Sequence, residues 1–124
     1  MKKLVSLGIA VALLVFAIAV MADGTPNVVG NWEGALDTPN GAYPILLHVA
    51  QKDGKFVGTL DSPEQNAIGL KITTISIKNL DFHFEVKSVN GTYDGKIKAD
   101  GSGIAGEWKG IMGDMPLNFK RPQK

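Results

Sequence analysis

His48 and His83 are the only histidines in a chain of 124 residues that contains no cysteine. A serine nucleophile needs a histidine within reach and a carboxylate to orient the ring. Both histidines occupy the polar positions of alternating segments, which points them away from the apolar face where a sheltered cleft would form. His83 has Asp81 and Glu85 on its own face, but successive positions on one face of a strand lie about 7 Å apart, too far for adjacent pairs to share a metal ion. Without cysteine there is no thiolate nucleophile, no thiolate zinc site and no disulfide framework. These residues predict no enzyme, no metal and no cofactor.

Two other segments carry polar or adaptable groups. Asp61-Ser62-Pro63-Glu64-Gln65-Asn66-Ala67 is the one polar, irregular connection. Asp61 and Ser62 there suit a local turn, and Glu64 and Gln65 suit the rim of an opening that orients a polar head group. Ile111-Met112-Gly113-Asp114-Met115-Pro116 is the second candidate rim, two flexible thioethers beside a glycine, read either as an adaptable apolar patch or as hairpin packing. Asn90-Gly91-Thr92 matches a glycosylation sequon, but behind a bacterial-type export signal a tight turn is the preferred explanation.

The totals for the whole chain mix two unlike parts. Met1 to Ala22 hold 18 apolar residues of 22, with Lys2 and Lys3 at the start and Val20-Met21-Ala22 before Asp23. That is the pattern of a secretory signal cleaved after Ala22; an uncleaved anchor helix is the alternative. With those two lysines set aside, 11 basic residues face 12 acidic ones over residues 23–124, a net charge of −1. Such a balance leaves no electrostatic footprint for nucleic acid. The expectation is one domain over residues 23–124, exported to the bacterial periplasm or the exterior, with no membrane association after cleavage.

Residues 23–124 alternate with a period of two, clearest at Leu80-Asp81-Phe82-His83-Phe84-Glu85-Val86-Lys87. Asn40-Gly41, Asp53-Gly54, Asn90-Gly91 and Asp100-Gly101 are tight-turn signals. Between them fall eight predicted strands, at 28–37, 42–51, 55–61, 70–78, 80–88, 91–99, 103–110 and 115–121. Closing eight short antiparallel strands into an up-and-down barrel removes the exposed edges, and a β-sandwich is the alternative. Parity turns Trp32, Tyr43, Leu47, Phe82, Phe84, Tyr93, Trp108, Leu117 and Phe119 inward, together with Gly34, Gly58, Gly95 and Gly106. Glycine facing a barrel interior permits bending and close backbone approach.

Gly30-Asn31-Trp32 near the start of the first strand and Leu117-Asn118-Phe119-Lys120-Arg121 in the last resemble the lipocalin, fatty-acid-binding-protein and avidin group. The resemblance implies a late Arg121 lying across Trp32 to close one barrel end, and cation–π stacking offers the physical reason. The wider pattern of Gly30-Asn31-Trp32-Glu33-Gly34, Leu46-Leu47-His48-Val49, Gly58-Thr59-Leu60-Asp61-Ser62-Pro63 and Gly106-Glu107-Trp108 is similar to the small β-domain preceding the catalytic domain in secreted bacterial α/β-hydrolases and serine hydrolases. No G-x-S-x-G elbow is present, so that likeness carries no catalysis with it.

A small barrel is filled by its own side chains or holds one small ligand. The reading favoured here is a binding module for a small apolar or amphipathic molecule at the barrel mouth, using Tyr43, Phe82, Phe84, Tyr93 and Trp108 with Glu64 and Gln65 at the rim. The alternative is an accessory domain whose outer surface meets a protein partner in the exported fraction.

Overall fold

Gly30 to Lys120 alternate between core-facing and solvent-facing side chains, and the turn residues between the runs decide where each strand ends. A computed structural model describes residues 26–122. The segment read as a secretory signal lies outside the described residues. Nine strands follow in chain order: β1 (Gly30–Thr38), β2 (Gly41–Lys52), β3 (Lys55–Ser62), β4 (Ala67–Lys71), β5 (Thr74–Lys78), β6 (Asp81–Val86), β7 (Gly91–Ile97), β8 (Gly103–Gly110) and β9 (Gly113–Lys120). Asp53 and Gly54 both take positive φ, 52° and 79°, so β2 and β3 are joined by a two-residue turn whose twist matches the strands.

All nine belong to one antiparallel sheet in the order β4-β3-β2-β1-β9-β8-β7-β6-β5. It is a curled half-barrel, compatible with a lipocalin-like small β fold. The first and last strands pair directly, from Glu33 opposite Lys120 to Leu36 opposite Leu117. The count of eight strands is corrected to nine, because the stretch read as one strand over 70–78 divides at Ile72-Thr73. There the Ile72 N–H donates to the Gly58 carbonyl of β3 at 3.0 Å, and the Thr73 N–H to the Glu85 carbonyl of β6 at 2.7 Å. One side of this segment therefore continues the β3 edge and the other begins the β6 edge. Part of the Ser62 to Gly69 connection is also strand: a 3₁₀ turn over Pro63–Gln65 ends at left-handed Asn66, and β4 starts at Ala67.

The concave face holds the core. Val28, Trp32, Ile45, Leu47, Leu60, Ile72, Phe82, Phe84, Val86, Tyr93, Ile97, Ile104, Leu117 and Phe119 are buried in one cluster. Phe84 stacks on Tyr93 with centroids 5.0 Å apart, while Phe82 and Phe119 meet Tyr93 edge-on at 6.2 and 5.3 Å. Such ring pairs add about 0.5–1.5 kcal/mol each beyond area burial. Gly106 makes room for the tyrosine: a Cβ there would fall against the Asp94 carbonyl oxygen and the Tyr93 hydroxyl. Glycine at this inward position is a packing requirement.

At one end of the sheet the Arg121 guanidinium lies 3.8 Å over the Trp32 ring. Its Nη2 donates to the Asn27 carbonyl at 2.8 Å and its Nη1 to the Val29 carbonyl at 3.2 Å. The Trp32 indole N–H donates to the Val28 carbonyl at 2.9 Å, so ring and guanidinium are both tied to the same incoming segment. Burial lowers the arginine's pKa from its ordinary value, without removing the charge at any ordinary pH.

Candidate functional site

The opposite end of the sheet is built from the turn between β8 and β9 and from the 3₁₀ turn after β3. Gly110 pairs with Gly113, leaving Ile111-Met112 as a two-residue tip whose side chains are 84% and 67% exposed. Beneath that tip lies a cavity of about 290 Å³. Leu36, Ile45, Leu60, Leu70, Met115 and Leu117 form its apolar walls, Trp108 one side, and Ala67, Val89, Ile111 and Met112 its mouth. Parity explains the lining, since Leu36, Ile45, Leu60 and Leu117 are all core-facing positions of four adjacent strands.

Trp108 is held in place by the absence of neighbouring side chains. A Cβ at Gly91 would run into its ring, and one at Gly110 would lie 2.8 Å from its Nε1. The ring sits 6.4 Å from Phe84, so it joins the aromatic core on one side and faces the cavity on the other. Of the seven side chains expected to meet a ligand, Trp108 and Gln65 line this cavity. Phe82, Phe84 and Tyr93 are sealed in the core at 1%, 0% and 0% exposure, and burial pushes the Tyr93 phenol well above its ordinary pKa. Tyr43 is half-buried, opposite Leu36 on β2, and Glu64 projects from the 3₁₀ turn to solvent.

Ser62, whose sequence context suggests only a local turn, lines the cavity as well. Ser62 is 3% exposed, and its hydroxyl donates to Gln65 Oε1 at 2.8 Å. Its parity with Leu60 was the available signal. Asp61, one residue earlier, faces the other way and forms a separate cluster. Its Oδ1 accepts the Gly69 N–H at 2.7 Å, and its Oδ2 lies 3.1 Å from His48 Nε2, while His48 Nδ1 is 2.8 Å from Asn31 Oδ1. The Gly69 bond first, and then His48, hold the Asp61 carboxyl below its usual range. Ser62 and His48 thus stand on opposite faces of the sheet, and no serine triad forms between them.

His83 lies between two carboxylates on the convex face. Nδ1 is 2.6 Å from Asp94 Oδ1 and Nε2 is 3.3 Å from Glu85 Oε2. With an acceptor on each ring nitrogen, the doubly protonated imidazolium is favoured, and the Asp94 bond above all raises its pKa. Among the described residues no group of three or more His, Asp or Glu is placed to hold a metal ion. A larger open groove of about 570 Å³ runs over the convex side of β1, β9 and β8, edged by Glu33, Asp37, Lys98 and Lys120. It contains none of the expected ligand-binding residues.

No protein-family model and no curated protein matches the chain. Geometry and chemistry are what define the site: a small apolar cavity with a single buried hydroxyl.

Proposed function

We propose that this protein is an exported, non-catalytic, lipocalin-like binding module that holds a small apolar or amphipathic ligand in the cavity under the Ile111-Met112 tip. The observation that carries the reading is the cavity itself: about 290 Å³, apolar on nearly every wall, with Trp108 on one side. That volume stands at the lower end of small-molecule pockets, which combine apolar walls with a few placed polar groups. In this reading the sheet works as a barrel, its seam between β4 and β5 bridged by the backbone bonds of Ile72 and Thr73. Met1 to Ala22 serves as the export signal.

A second reading draws on Ile68, Ile111 and Met112, which are 66%, 84% and 67% exposed. Large apolar side chains left in water near one end also suit an accessory domain that meets a protein partner in the exported fraction. Titration with neutral lipids and small aromatics, followed by tryptophan emission, separates the two. Saturable quenching that is lost when Ala67→Trp fills the cavity mouth supports the binding module. A flat response across a broad panel rejects it and leaves the surface reading.

A further inference from the structure

We infer that the cavity selects an uncharged amphiphile, an apolar body carrying one terminal hydroxyl, over the corresponding carboxylate. This rests on the reading of the cavity as a ligand site and adds the chemistry of the head group. Among the described residues no charged side chain lines the cavity. Besides the Trp108 indole N–H, its polar side chains are Ser62 and Gln65, and these two form a donor and acceptor pair. The Ser62 hydroxyl spends its proton on Gln65 Oε1, which leaves the Ser62 oxygen free to accept and the Gln65 Nε2 amide free to donate. A terminal hydroxyl is the smallest uncharged group that uses both, giving its proton to Ser62 Oγ and accepting from Gln65 Nε2.

An anionic head finds no counter-charge there. The chain's single arginine is Arg121, engaged with Trp32 and backbone carbonyls beyond the far end of β9. Strand β9 runs from Gly113 at the cavity tip to Lys120, roughly 25 Å at a strand's rise per residue. A carboxylate drawn into the apolar walls would lose hydration without a partner, which is disfavoured far more strongly than burying a hydroxyl that is hydrogen-bonded. By contrast, the convex groove carries both signs of charge, with Glu33 and Asp37 facing Lys98 and Lys120 along its edges.

The test uses 1-octanol, octanoate at pH 8 and toluene as probes, with the methyl resonances of Met112 and Met115 and the Trp108 indole N–H as reporters. The expected result is saturable shifts with octanol and affinity at least tenfold weaker for octanoate. Ser62→Ala and, at the exposed turn, Gln65→Leu each weaken octanol several-fold and leave toluene unchanged. Octanoate binding within threefold of octanol overturns the selection for an uncharged head. Equal loss of toluene and octanol in both variants overturns the role assigned to the polar pair. If none of the three probes moves these resonances, the cavity is not a ligand site and the reading beneath this inference falls with it.

Discussion

The Tyr93 hydroxyl donates to the Leu117 carbonyl oxygen at 2.8 Å, reaching from β7 past Gly106 of β8 to β9. The ladder between β8 and β9 pairs Ile104 with Phe119 and Glu107 with Pro116, but forms no pair at Ala105 and Gly106. Pro116 has no N–H to give, and the Gly106 N–H instead donates to the Asn118 side chain at 3.1 Å. The phenol therefore supplies the donor that the interrupted ladder withholds from Leu117. Tyr93→Phe keeps the ring and removes that donor, leaving a buried carbonyl unsatisfied. It is expected to cost about 1–3 kcal/mol, measured by urea denaturation. A change below a few tenths of a kcal/mol would show that Leu117 finds another partner.

Arg121 over Trp32 fixes the segment that leads into β1. Arg121→Ala removes the stacking and the guanidinium's bonds to the Asn27, Val29 and Asn31 carbonyls, with an expected loss of about 1–2 kcal/mol. Arg121→Lys recovers little of it, because a lysine ammonium has neither the planar face nor the fork that reaches several carbonyls at once. Equal stability of the lysine variant and the parent in chemical denaturation would contradict the stacking account.

Much of this arrangement is legible in the residues. The alternation at Leu80 to Lys87 places Phe82, Phe84 and Val86 in the core, and the inward glycines sit where a side chain would strike a neighbour; a Cβ at Gly34 would lie 2.7 Å from the Asn118 carbonyl. The division of 70–78 into β4 and β5 is not legible, because Ile72-Thr73-Thr74-Ile75 is a β-branched run that reads as one strand. Only the three-dimensional placement of β3 and β6 shows that successive amides bond to different strands. The cavity is legible in half. Trp108 and Gln65 carry recognisable chemistry, whereas which core positions close up and which leave space depends on side-chain packing among strands far apart in the chain.

His83 provides a pH-dependent reporter on the convex face. Its folded pKa is raised, so its ion pairs contribute fully below the unfolded value of 6.5 and are lost as pH rises through the folded value. The His83 ring proton resonance is expected to titrate above pH 6.5. Asp94→Asn should lower that midpoint more than Glu85→Gln does, since the 2.6 Å bond to Asp94 is the leading cause. A midpoint at or below 6.5 in the parent protein would mean that the two carboxylates do not hold the imidazolium in solution.

Asp61 ties the cavity wall to the body of the sheet. Its carboxylate receives the Gly69 N–H at 2.7 Å, and Gly69 lies in β4 between Ala67 and Leu70, both of which line the cavity. Strand β4 is at the edge of the sheet and pairs only with β3, through a register that shifts between Leu60 and Ser62. Few other bonds hold it. Because the folded pKa of Asp61 is lowered, this contribution is present above the ordinary value of 3.8 and lost as pH falls below it through the folded value. Asp61→Ala is expected to speed hydrogen exchange at the Gly69 and Leu70 amides at least tenfold at neutral pH, while the amides of β7 and β8 keep their protection. The same selective loss should appear in the parent protein on acidification below pH 3.8. Uniform acceleration across all strands would instead identify Asp61 as a determinant of global stability, and an unchanged Gly69 amide would show that β4 is held by its pairing with β3 alone.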